Sequence, residues 1–153
     1  MDPLEARVGS IVMAKEYTGT PGFNKVMMWM AGKGLSRAQV LTTTGRRSGE
    51  SRSIPVSPID VDGVEYLVAP YGSVSWVENA RANPNVTLTK GRTVRGVSLV
   101  EVTGRPAAPV VDAYYRRESF SRRFMDVSES PTVDDFAERS EQFPVFRVDQ
   151  GQS

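Results

Sequence analysis

The chain has 153 residues, 39% apolar and 24% charged, with a formal net charge of +1. Those values suit one globular domain over residues 1–153 and exclude a broad nucleic-acid footprint. Histidine and cysteine are both absent, which removes disulfides, a thiolate nucleophile, an Fe–S cluster, a Ser-His-Asp triad and the usual zinc site.

Residues 1–18 carry no clear periodicity. Asp2, Glu5, Arg7, Lys15 and Glu16 interrupt them, and the apolar run 26–31 is too short for a signal sequence or a membrane span. A cytoplasmic protein is expected. Phe23, Val26, Met27 and Met30 fall at helical spacing, with Pro21 as a start and Gly32 and Gly34 as stops, predicting a helix over 20–32. Its Met and Trp side chains suit either core packing or a plastic pocket wall.

From Ala38 the period changes to that of strands. "AQVLTTT" reads as a strand, "RRSGE" as a turn, and "SRSIPVSPI" as a second strand. Pro55 and Pro58 remove ladder donors, so that strand belongs at an edge or a bulge. "VDG" is an Asp-Gly hairpin turn, leading into a third strand, "VEYLVAP". Ser75 and Glu78 have capping-box spacing before a helix that Asn83-Pro84 ends. "NVTLTK" and "TVRGVSLVEVTGR" are two more strands. Val111, Tyr114 and Tyr115 form one helical stripe, and Phe120 and Phe124 another, with a break near Glu118. Ser130-Pro131 opens a short helix with Val133, Phe136 and Ala137 inward, and "FPVFRV" is a final strand. Short strands joined by tight turns predict an α+β, mainly β architecture: a six-stranded antiparallel split β-barrel with peripheral helices. No G-x-G-x-x-G follows a strand, which disfavours a βαβ dinucleotide fold.

The residues with chemical potential are few. Arg46, Arg47 and Ser48 form a turn with guanidiniums, a hydroxyl and backbone N–H groups, and Arg52 starts the next strand. Such a turn is either a solvated tip or a nest for an anion. The helix start at Ser75 and Trp76 adds a positive dipole end. Tyr71, Tyr114 and Tyr115 are candidate proton donors or substrate contacts, since a phenol titrates near about 10 and stays protonated at neutral pH. The alternative for the adjacent pair is amphipathic packing. Asp134-Asp135 lacks supporting ligands, so no metal is expected.

"LTTTGRRSGESRSIPV", "VAPYG" and "SWVENARANPNVTL" together resemble the motif series of the deazaflavin-dependent nitroreductase family. These are actinobacterial flavin and deazaflavin oxidoreductases with an FMN-binding type of split barrel. The resemblance covers residues 38–105. It implies coenzyme F420, an 8-hydroxy-5-deazaflavin with a phosphate and an oligoglutamate tail. The phosphate would fall to Arg46, Arg47, Ser48 and Arg52, with arginine at 47 where the family often has lysine. Ser53, Ile54, Pro55 and Val56, with Val68, Ala69, Pro70 and Tyr71, would line the ring through backbone groups. Ser75, Trp76, Val77, Glu78 and Asn79 would close over it. Tyr114 and Tyr115 stand where family members place substrate-facing tyrosines.

The expected activity is hydride transfer from reduced coenzyme F420 to a small electron-poor acceptor: a quinone, an activated alkene or a nitroaromatic. The alternatives are an FMN-dependent reductase of the same fold and a non-catalytic carrier of the coenzyme or a lipid. A nucleic-acid partner is not expected. A quinone acceptor would add peripheral contact at the inner face of the membrane.

Overall fold

β-Branched and alternating segments build seven strands in the computed structural model, which describes residues 38–118 and 125–150. They are β1 (Gln39–Thr44), β2 (Ser51–Val56), β3 (Ile59–Val61), β4 (Val64–Val68), β5 (Asn85–Lys90), β6 (Thr93–Val102) and β7 (Val145–Gln150). Helix α1 (Ser75–Ala82) links β4 to β5, and α2 (Ala108–Arg117) and α3 (Val133–Glu138) link β6 to β7. The helix expected over 20–32, the segment 1–18, Phe120 and Phe124 lie outside the described residues.

The strands form one sheet in the order β2-β1-β5-β6-β7-β4-β3, and every neighbouring pair is antiparallel. β2 and β3 are separated by Ser57 and Pro58 alone, yet they form the two opposite edges of the sheet. The sheet must therefore curl until its edges approach, which makes a split barrel. This corrects the single second strand expected over "SRSIPVSPI": Pro58 interrupts it, and the count becomes seven. The rest of that expectation holds, because Pro55 sits in an edge strand, opposite Val40. Arg117 secures the crossover by donating to the carbonyls of Ser57 (3.1 Å) and Pro58 (2.9 Å). The Asp-Gly hairpin also forms as expected, with Val61 opposite Val64 and positive φ at both Asp62 and Gly63.

The two-residue period sorts side chains into two apolar layers. Leu67 and Phe146 point to one and their neighbours Val68 and Val145 to the other. Leu41, Leu88, Val97 and Leu99 join the inner layer, with Trp76, Val77 and Ala80 of α1. The outer layer packs β3, β4 and β7 against Val111 and Tyr114 of α2 and Phe136 of α3.

α3 and α1 begin differently from their expected forms. Thr132 is the N-cap of α3 and shares a reciprocal capping box with Asp135, although the sequence reading starts that helix at Ser130-Pro131. α1 has no side-chain cap: Val74 is its N-cap, and Ser75 is already inside the helix. The expected Ser75–Glu78 box is therefore absent. Val74 packs on the inner layer, which sets the phase of the helix one residue earlier.

Candidate functional site

The strand registers bring the β1–β2 turn and α1 to the same end of the barrel. There the Gly45 N–H donates to the Glu50 carbonyl (2.7 Å) and the Gly49 N–H to the Gly45 carbonyl (2.9 Å). Arg46, Arg47 and Ser48 are thereby wound into one helical turn. Gly45 is required by contact, since a Cβ there would lie 2.9 Å from Ser48 Oγ and 3.1 Å from the Glu50 carbonyl. Gly49 is required by conformation, with φ +72°. Ser48 Oγ accepts from the Glu50 N–H at 3.1 Å, and among the described residues its own proton meets no acceptor. Among the described residues, the Arg47 and Ser48 amides meet no protein acceptor.

α1 supplies the opposite wall. Asn79, only 3% exposed, accepts from the Arg46 backbone N–H (3.1 Å) and the Arg46 guanidinium (2.9 Å) through Oδ1. Its Nδ2 donates to Thr43 Oγ1 at 3.2 Å. Trp76 lies against Phe146, ring centroids 5.5 Å apart, and is 6% exposed. Its role is mainly core, with one edge in the wall. Without a cap, the Ser75 and Trp76 amides have no acceptor among the described residues.

Between the walls is a groove of about 610 Å³, within the usual range for a cofactor or small-molecule site. It unites the expected residues Arg46, Arg47, Ser48, Arg52, Ser53, Ile54, Ser75, Trp76 and Asn79. The sequence reading missed Thr43, Gly45 and Ser51. Thr43 had a signal: it shares the inward parity of Leu41 and is therefore a buried hydroxyl on an apolar face.

Other expected residues are not along the groove. Val77 is sealed in the inner layer, Val68 faces the outer layer, and Glu78 is committed to Arg81 at 2.7 Å. The Ala69 amide donates to the Pro144 carbonyl at 2.8 Å. Pro55, Val56, Pro70 and Tyr71 also lie off the wall. Tyr114 is buried in the outer layer and Tyr115 packs against Phe136 at 5.7 Å.

The electrostatics separate this groove from a second cavity of about 680 Å³ on the other flank of α1. Arg81 lines that cavity but is matched by Glu101 (2.7 Å) and Glu78 (2.7 Å), which hold its guanidinium even more firmly protonated. In the first groove, Arg46 meets only the neutral amide of Asn79 among the described residues. Arg47 has no carboxylate partner among the described residues, and Arg52 has a loose, exposed contact with Glu50 at 3.5 Å. Such an exposed pair cancels little. Among the described residues, the groove therefore presents uncompensated positive charge, free amides and a narrow apolar strip from Ile54 and Trp76. That combination is suited to an anionic ligand with a flat apolar part.

Solved structures support the architecture. The chain is similar to an F420-H2 dependent reductase (FDR-A), with TM-score 0.53 and 23% identity over 74% of this chain and 94% of that one. It is also similar to a putative pyridoxamine 5'-phosphate oxidase from Listeria innocua, with TM-score 0.51 and 13% identity over 81% and 91% of the chains. The heme storage protein HutZ from Vibrio cholerae gives TM-score 0.54 and 10% identity over 76% and 83%. At these identities the likeness is one of fold. No curated protein matches the chain. No helix among the described residues is long and apolar enough to cross a membrane. The sequence model of the F420H(2)-dependent quinone reductases matches residues 15–146, so the chain is an F420H2-dependent reductase and belongs to the F420H(2)-dependent quinone reductase family.

Proposed function

We propose that the groove between the β1–β2 turn and α1 holds reduced coenzyme F420, and that the acceptor is an electron-poor conjugated molecule such as a quinone, an activated alkene or a nitroaromatic. One observation carries this reading: among the described residues, no carboxylate pairs with Arg46 or Arg47, which line a cavity of cofactor size. Arg46, Arg47, Ser48 and Arg52 would grip the phosphate through charge-assisted hydrogen bonds, with the Ser75 and Trp76 amides adding donors at the helix start. β2 is an edge strand among the described residues, and Ser53 and Ile54 on the groove wall would align a planar ring through their backbone groups. Ile54 and Trp76 supply apolar surface beside it.

When bound, the reduced deazaflavin supplies the hydride. The protein then needs no nucleophile, which agrees with a chain that has neither histidine nor cysteine. Its own contribution is orientation: fixing the phosphate and one ring face leaves the other face for the acceptor, and such placement accounts for much of the acceleration. The proton comes from solvent, since Tyr71 lies off the groove wall.

The test is anaerobic oxidation of reduced coenzyme F420 against a quinone, an enone and a nitroaromatic, with FMN and NADPH in parallel. The expected result is acceptor-dependent oxidation with coenzyme F420 alone. Turnover with FMN alone would instead identify a flavin reductase. Tight binding of the deazaflavin with no oxidation by any acceptor would identify a carrier.

A further inference from the structure

We propose that Asn79 is a positioning residue: it holds the arginine turn in its anion-binding shape before any ligand arrives, and it acts through Arg46 rather than by touching the coenzyme. The proposal rests on the groove being the coenzyme site. Asn79 is almost fully buried, and both acceptor positions of its Oδ1 are taken, one by the Arg46 backbone N–H and one by the Arg46 guanidinium. One hydrogen of its Nδ2 goes to Thr43, which is also buried. An amide side chain offers two acceptor and two donor positions, so little of it is left for a ligand.

The network links three elements. Thr43 is on β1, Asn79 on α1 and Arg46 on the turn. Pinning the Arg46 amide sets the start of the helical turn and with it the direction of the Arg47 and Ser48 amides. The chemistry of the residue also fits the task. A carboxylate could accept the same two hydrogen bonds, but it would neutralise Arg46 beside the groove. Asparagine accepts both bonds and leaves the positive charge for the ligand.

Asn79→Ala and Asn79→Asp separate shape from charge. Amide hydrogen exchange at Arg46 in the ligand-free protein reads shape. It is expected to speed up in Asn79→Ala and to stay protected in Asn79→Asp. Coenzyme titration reads the consequence. Both variants are expected to bind about tenfold more weakly. In Asn79→Asp the salt dependence of binding becomes shallower, because one net positive charge is gone. In an Arg46→Ala background, Asn79→Ala should still weaken binding severalfold, because alanine at 46 keeps the backbone N–H that Asn79 pins. In turnover the change falls on KM for the coenzyme. Unchanged Arg46 exchange in Asn79→Ala, or no further loss of affinity from Asn79→Ala in the Arg46→Ala background, would overturn the proposal. If the wild-type protein fails to bind the coenzyme, the proposed function fails, whereas the exchange experiment still reports on the network.

Discussion

At the level of single residues, charge matching separates Arg46 and Arg47 of the groove from most arginines elsewhere in the described residues. Arg81, Arg95, Arg116 and Arg147 each lie within 3.0 Å of a carboxylate, and all four are held more firmly protonated by that partner. Among the described residues, Arg46 and Arg47 have no carboxylate of this kind. The sequence showed which arginines cluster, because Arg46, Arg47 and Arg52 are neighbours along the chain. It did not show which would be neutralised, because the partners of the others lie up to 30 residues away, as Glu65 does from Arg95. The tyrosines were ambiguous for a related reason: a helical stripe looks the same whether it faces core or substrate. With Tyr115 packed on Phe136 and Tyr71 off the groove wall, Tyr115→Phe and Tyr71→Phe should both leave turnover near wild type. Steady-state turnover at saturating coenzyme checks both, and a loss confined to Tyr115→Phe would reverse the assignment.

Among the helices, α1 and α3 show how the same local rule can succeed or fail. Serine followed three residues later by glutamate is a sound cap signal, and at Ser75–Glu78 it misleads. The Val74 N–H donates to the Gly72 carbonyl at 2.9 Å, and Gly72 has φ +87°. This tight turn and the packing of Val74 start the helix early. Tertiary packing overrides the local signal and leaves the helix start open toward the groove. The real box is Thr132-x-x-Asp135, with Thr132 Oγ1 accepting from the Asp135 N–H at 3.3 Å and Asp135 Oδ2 accepting from the Thr132 N–H at 2.8 Å. It uses aspartate where glutamate or glutamine is usual, and that hid it from the motif. Thr132→Ala should destabilise the protein by about 0.5–2 kcal/mol, read from the denaturation midpoint, with no change in coenzyme affinity. A change in affinity without a change in stability would contradict the capping role.

Across the whole molecule, the fold depends on bringing two edges of one sheet together. Strand identities were legible from alternation and turn chemistry. The closure was not, because it depends on Ser57-Pro58 carrying the chain between edges rather than continuing a strand. At the barrel end away from the groove, Arg95 on β6 binds Glu65 on β4 in bidentate form (2.9 and 3.0 Å) and Gln39 on β1 at 3.1 Å. β1 and β4 are not neighbours in the sheet, so this network spans the barrel mouth. Its side chains remain partly exposed, and its contribution should be small beside that of the core. Arg95→Met should cost about 1 kcal/mol, and Leu88→Ala, a deletion in the fully buried inner layer, about 2–5 kcal/mol. Thermal melts of the two variants check the order, and the opposite ranking would mean that the polar closure holds the barrel together.

The central claim is that the arginine turn holds the phosphate of the deazaflavin coenzyme, and equilibrium titration of coenzyme F420 tests it most directly. The Arg47→Ala/Arg52→Ala variant should lose about 1.5–3 kcal/mol of binding free energy for each charged hydrogen bond removed, with its melting temperature unchanged and its binding less sensitive to salt. Wild-type affinity in that variant would contradict the claim.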